Sequence, residues 1–312
     1  MNNPTTSIES SPAVSAEKCI RIGVTESAML LSLAFEDSAD LSSQFVRSKL
    51  RHLWNTIGFY DTSFNLQDEP IETIKWSTHA TASMRKYWRE YLKACAGATK
   101  IIHLFRSIQD AKEFMPEGEA ALYGIFSALS PVPSSTENSF TYSWVENISH
   151  GRAVTVVSPF AAMMIDQFKS SRLQVLRPAF HPSSLQGLEF PYCFNNAGPH
   201  ENSFETIEWA IEQIQKVTPN NSIIMLSCGS MGVHIADRLH KLGHDVFYCG
   251  GAMQLYFGIM GQRWHTNLND RALHPADKLL DSRVTHPELW INQMPSEYIP
   301  AFAKSVEGGC YW

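Results

Sequence analysis

The chain has 312 residues, 44% of them apolar and 18% charged, and a net charge of −6. This is an ordinary soluble globular composition, and without a Lys/Arg run it excludes binding to nucleic acid or anionic lipid by charge alone. Six scattered cysteines (Cys19, Cys95, Cys193, Cys228, Cys249, Cys310), with no CxxC pair and no ligand-like spacing to histidine, exclude a structural zinc site and point to reduced thiols in a cytoplasm.

No apolar run is long enough to span a membrane, and no signal-peptide core precedes the body of the chain. Residues 1–16 are rich in Ser, Thr, Pro and Asn and read as a disordered leader. Lys18–Gly23 is a strand-like run that ends on a glycine, and Glu26 opens a helix over about 27–35. A basic stretch with Arg47, Lys49 and Arg51 leads to an aromatic turn at Gly58-Phe-Tyr60. The spacing of Met84, Tyr87, Trp88, Tyr91 and Leu92 predicts an amphipathic helix over 78–96, followed by a buried strand at 100–105. Ser130–Thr136 is a Pro/Ser loop and candidate hinge. Residues 151–160 form an apolar strand stopped by Ser158-Pro159, and a helix follows over 161–169. Residues 173–194 mix a short strand with loop signals. Then come a helix at 204–217, a strand at 222–227, a helix at 231–242 and a strand at 244–249.

Strands alternating with helices predict an α/β, Rossmann-like fold: one domain over 17–312 whose mostly parallel sheet is flanked by helices. Ligands of such sheets sit at the C-terminal strand ends. Three strand ends converge there: Arg21–Glu26, Ser158–Phe160 and Cys228–Gly232. The turn Gly229-Ser230-Met231-Gly232, between a strand and a helix, suits a phosphate or ribose cradle. Gly250, Gly251, Gln254, Arg263 and Trp264 crowd a second segment rich in glycine and aromatics, a costly composition for a connector. Gln254, amid Met, Leu, Tyr and Phe, must find a polar partner. His265 stands out by position alone. The aromatic tail Glu307–Trp312 reads as docking back onto the domain, with Cys310 lacking a base that would make it a nucleophile.

Arg21-Ile-Gly-Val-Thr-Glu26, Gly58-Phe-Tyr60, Val156–Phe160, the Cys228–Gly232 turn, Gly250–Trp264, Trp290 and Glu307–Trp312 follow one another in the order found in proteins with a GT-D-like glycosyltransferase domain, and the chain resembles that family over nearly its whole length. The resemblance implies a Rossmann-like domain that binds a nucleotide-sugar, a UDP-sugar, and transfers the sugar to a glycan or glycoconjugate acceptor. It implies a donor pocket that includes Arg21, Gly23 and Glu26. The family's acidic Asp-x-Glu metal motif has no counterpart, because Ala252–Tyr256 holds no carboxylate; a Mn²⁺ or Mg²⁺ requirement is therefore open.

Sugar transfer asks for charge on the departing diphosphate and a base for the acceptor hydroxyl. Arg21 and Arg263 suit the first task through bidentate contacts. Glu26 suits the second, or contact with the sugar, although a carboxylate in a first helical turn also serves as a cap. Ser158 either points into the site or merely ends a strand. Two other readings compete: a non-catalytic nucleotide- or sugar-binding protein, and a serine hydrolase with Ser230 on a nucleophile elbow and Asp270 or Asp281 and His286 downstream.

Overall fold

The computed structural model describes residues 16–34, 58–63, 70, 73, 81–103, 105–114, 117–130, 142–193, 198–266, 277–305 and 311–312. Strands β1 (Lys18–Ile22), β2 (Lys100–His103), β3 (Ala153–Ser158), β4 (Ser184–Glu189), β5 (Ile223–Leu226) and β6 (Asp245–Tyr248) form one sheet in the order β2-β1-β6-β5-β3-β4. Every pairing in that sheet is parallel. The α/β, Rossmann-like architecture therefore holds, and the sheet is parallel throughout rather than mostly so.

Alternation along the strands explains why their sequences are apolar runs. In β5, Ile223 and Met225 enter one core while Ile224 and Leu226 enter the other. A parallel sheet is covered on both faces, so a central strand needs apolar side chains at successive positions. The first face carries α1 (Val24–Ala34), α2 (Ala82–Cys95), α3 (Phe105–Phe114), α4 (Gly118–Leu129), α8 (Ser203–Val217) and α9 (Met231–Lys241). The second carries α5 (Ser143–Ser149), α6 (Ala161–Lys169), α7 (Arg172–Leu176), α10 (Ala252–Tyr256), α11 (Gln262–Thr266) and α12 (Asp277–Thr285).

Boundaries moved where local chemistry decides them. The helix expected from residue 78 starts at Ala82, because the Thr81 hydroxyl accepts from the Met84 amide and caps it. The strand expected to reach 105 stops at His103, and Phe105 already begins α3. The mixed stretch 173–194 resolves into α7 and the edge strand β4. The leader through residue 15, the basic stretch with Arg47, Lys49 and Arg51, and the hinge beyond Ser130 lie outside the described residues. No described helix is long and apolar enough to cross a membrane. Cys19, Cys95, Cys193, Cys228 and Cys249 are free and buried, whereas Cys310 lies outside the described residues.

The helix after β1 lies on the first face, and the chain after β6 turns to the second. These two strands are neighbours in register, with Ile20 opposite Tyr248. Where adjacent strands send their following segments to opposite faces, a crevice opens at the C-terminal edge. The β1/β6 junction is such a place.

Candidate functional site

Two charged side chains flank that crevice. Arg21 alternates with Ile20 and Ile22 of the first core, so it leaves β1 on the second face, where its charge acts on Tyr142 and Cys249. Its guanidinium lies against Gly250, the second residue past β6: a Cβ built on that glycine would collide with Arg21 Nη1. Gly250 has φ +60°, a left-handed conformation that favours glycine. No hydrogen bond or ion pair reaches the guanidinium among the described residues, and its Nε is buried without a partner.

Glu26 stands on the other side, in the first turn of α1. Its carboxylate folds back over Gly23, where an added Cβ would meet Oε2. A glutamate at this position commonly bonds the amide at the start of its helix. Here no such bond forms, and among the described residues the carboxylate has neither a hydrogen bond nor an ion pair. Its charge acts on the neighbouring tyrosines Tyr87, Tyr91 and Tyr248.

The third element is the turn after β5. Gly229 takes φ +56°, and its carbonyl accepts from the Tyr248 hydroxyl at 2.8 Å and from the Gly232 amide at 3.1 Å. The Tyr248 ring occupies the space that a side chain at Gly232 would need. Ser230 Oγ pairs with the Tyr87 hydroxyl at 2.7 Å inside the first core. Burial raises the pKa of both tyrosines, so they stay protonated and can donate. The turn is held from two sides, with its serine turned inward.

Other predicted residues have structural partners. Ser158 Oγ accepts from the Phe160 amide at 3.2 Å and ends β3 as a turn. Gln254 finds the polar partner its surroundings demand: its Nε2 donates to the Tyr311 carbonyl at 2.7 Å, and the Gln262 amide bonds the Trp312 carbonyl nearby. Trp312 Nε1 donates to the Tyr192 hydroxyl at 3.3 Å. Gly251 caps α10, and Trp264 is buried in the second core. The side chain of Arg263 lies outside the described residues, as do Asp270 and Cys310. His265 faces the Asn292 carbonyl at 2.9 Å. The density of glycine and aromatics in 250–264 is thus partly a packing requirement: Tyr256 stacks on Tyr142, and Gly258 leaves room for Leu176 and Gln167.

No family model matches the chain, and no curated protein matches it. Two solved structures are similar. One is the domain of unknown function 1792 in selenomethionine form, 14% identical, covering 76% of this chain and 73% of its own, with a TM-score of 0.39. The other is the same domain, said to have a distinct glycosyltransferase fold, also 14% identical, covering 77% and 75%, with a TM-score of 0.41. The fold assignment stands on the chain's own parallel sheet, and the chemistry on its own side chains.

Among the described residues no three His, Cys, Asp or Glu side chains are grouped as a metal ion requires. Ala252–Tyr256 brings none, so the described residues do not group as a protein-held divalent cation requires. A nucleophile elbow at Ser230 also fails on geometry, since Tyr87, not a histidine, holds its hydroxyl. A cleft between α2, α8 and α9 contains none of the predicted site residues. Its charges are paired, Arg238 of α9 with Glu208 of α8 across it and Lys241 with Asp237 along α9.

Three structural residues were missed. Arg177 and Lys18 are buried cations, and Tyr248 looked like an ordinary strand residue. Their roles depend on partners 100 or more positions away in several cases, such as Leu279 for Arg177 and Asp237 for Lys18. Nothing local in the sequence signals them.

Proposed function

We propose that the protein is a glycosyltransferase that holds a UDP-sugar across the β1/β6 crevice and passes the sugar to a glycan or glycoconjugate. The observation that carries this reading is the pair Arg21 and Glu26. Each sits against a glycine at the C-terminal edge of a parallel sheet, and neither has a partner among the described residues. A partly buried charge left unpaired costs stability, so such a pair is more readily understood as waiting for a ligand.

In the reaction the bond between the anomeric carbon and the diphosphate oxygen breaks, and UDP leaves with the electron pair. A bond forms from the acceptor oxygen to the anomeric carbon, and the acceptor's proton passes to the Glu26 carboxylate. Arg21 meets the charge that grows on the diphosphate. The Gly229–Gly232 turn adds backbone N–H groups at the start of α9. Gly23 and Gly250 leave room for the Glu26 carboxylate and the Arg21 guanidinium, and Gly251 continues that wall. No step is assigned to a metal. A cytoplasmic setting belongs to the same reading, as the described cysteines are free thiols.

The test is calorimetric titration of the purified chain with UDP and UDP-sugars, with and without Mn²⁺ or Mg²⁺. Binding is expected, and Arg21→Ala in a folded protein should weaken it by roughly ten- to hundredfold, the worth of a charge-assisted hydrogen bond of about 1.5–3 kcal/mol. Absence of binding by the native chain to any nucleotide sinks the reading. The missing carboxylate in Ala252–Tyr256 favours a second reading, a donor-binding protein that does not turn over. Tight UDP-sugar binding with no release of UDP across acceptors and metals would select it.

A further inference from the structure

Resting on that reading, we infer that Gly250 is a positioning residue: it acts on the ligand by seating Arg21, not by touching the ligand itself. The guanidinium lies over the backbone at Gly250. Arg21 leaves β1 level with the residues that follow β6, because Ile20 is opposite Tyr248. Its Nη1 occupies the volume a Cβ at position 250 would take. Its Nε is buried, so the rest of the group is fixed in depth, while among the described residues no side chain bonds its outer edge. A guanidinium held by packing alone keeps its donors available and loses little freedom when an anion arrives.

A side chain at position 250 removes the seat. With alanine, the Cβ pushes Nη1 away, and the guanidinium must leave the position from which it meets phosphate. The effect is specific to the charged part of the ligand, since Arg21 has no role toward a nucleoside in this arrangement.

The experiment is a double-mutant cycle in titration calorimetry, with UDP and uridine as the two probes. Gly250→Ala is expected to lower UDP affinity about tenfold, equivalent to about 1.4 kcal/mol, and to leave uridine affinity unchanged. In an Arg21→Ala background, Gly250→Ala should cost no further UDP affinity, because the residue it displaces is already gone. Backbone strain is controlled by Gly243→Ala, where φ is +90° and a Cβ meets nothing within 4 Å. That variant should lower the melting temperature and leave UDP affinity intact. Equal losses from Gly250→Ala with and without Arg21 would overturn the seat, as would equal losses for UDP and uridine. Failure of the native chain to bind either probe removes the site reading and the seat with it. Native binding with an additive cycle removes the seat alone.

Discussion

Arg177 is 6% exposed, and its guanidinium donates to the carbonyls of Leu176, Leu255, Tyr256 and Leu279 and to Ser282 Oγ. Burial lowers its pKa, yet the five donors meet oxygens at the ends of α7 and α10 and within α12, and the cation faces the rings of Tyr256 and Trp290. The group therefore ties three helices of the second face together without a carboxylate on it. Replacing it with methionine keeps the apolar stem and leaves those carbonyls unanswered. Arg177→Met should cost about 3–5 kcal/mol, measured by urea unfolding. A loss under about 1 kcal/mol would mean that water or other donors take over. Arg21 differs: its local pattern, a cation at the end of a strand before a glycine, was visible in the sequence. Gly250 was visible too, as one glycine among several. What was not visible is that the two touch, because β1 and β6 are paired only in the folded sheet.

Elements were legible to the extent that one periodicity governs them. The helix expected at 204–217 is α8, Ser203–Val217, with Ile207, Ala210, Ile211 and Ile214 buried on one face as the spacing required. Strands β3, β5 and β6 followed from apolar runs. The edge strand β4, Ser-Leu-Gln-Gly-Leu-Glu, was blurred because it is the last strand of the sheet, paired with β3, and its pattern is weak. Helix ends were blurred for a separate reason, since caps and not periodicity set them. Asn202 caps α8 by accepting from the Phe204 amide at 3.0 Å and the Glu205 amide at 3.2 Å. Asn202→Ala should therefore cost about 1 kcal/mol and lower the melting temperature by about 1–2 degrees in calorimetry. An unchanged melting temperature would mean that Glu205, which reaches back to the Glu201 amide, supplies enough of the cap.

At the scale of the molecule, the sheet presents two cores whose buried polar groups differ in consequence. Lys18, 1% exposed, is answered in full by the Ala94 and Ala96 carbonyls and Asp237. His234, one turn earlier on α9, is 7% exposed and packs against Tyr87 and Tyr91, with its Nε2 unanswered. Burial drives its pKa down to about 3 against the ordinary 6.5, with Asp237 only partly opposing the shift. The folded state therefore holds it neutral while the unfolded chain takes up a proton below pH 6.5. A group with a depressed folded pKa contributes stability that is present above the unfolded value and is lost as pH falls, here between about 6.5 and about 3. From pH 7 to pH 5 the loss from this residue alone comes to about 2 kcal/mol, the uptake of one proton by the unfolded chain. His103, also lowered by burial, adds in the same direction. His234→Phe removes no hydrogen bond and keeps the aromatic contact with Tyr87, so it should fold as well as the native chain at pH 7 and lose about 2 kcal/mol less on going to pH 5. Urea unfolding at the two pH values checks this. Equal pH losses in native and variant chains would mean that His234 can take up a proton without leaving its place between α2 and α9.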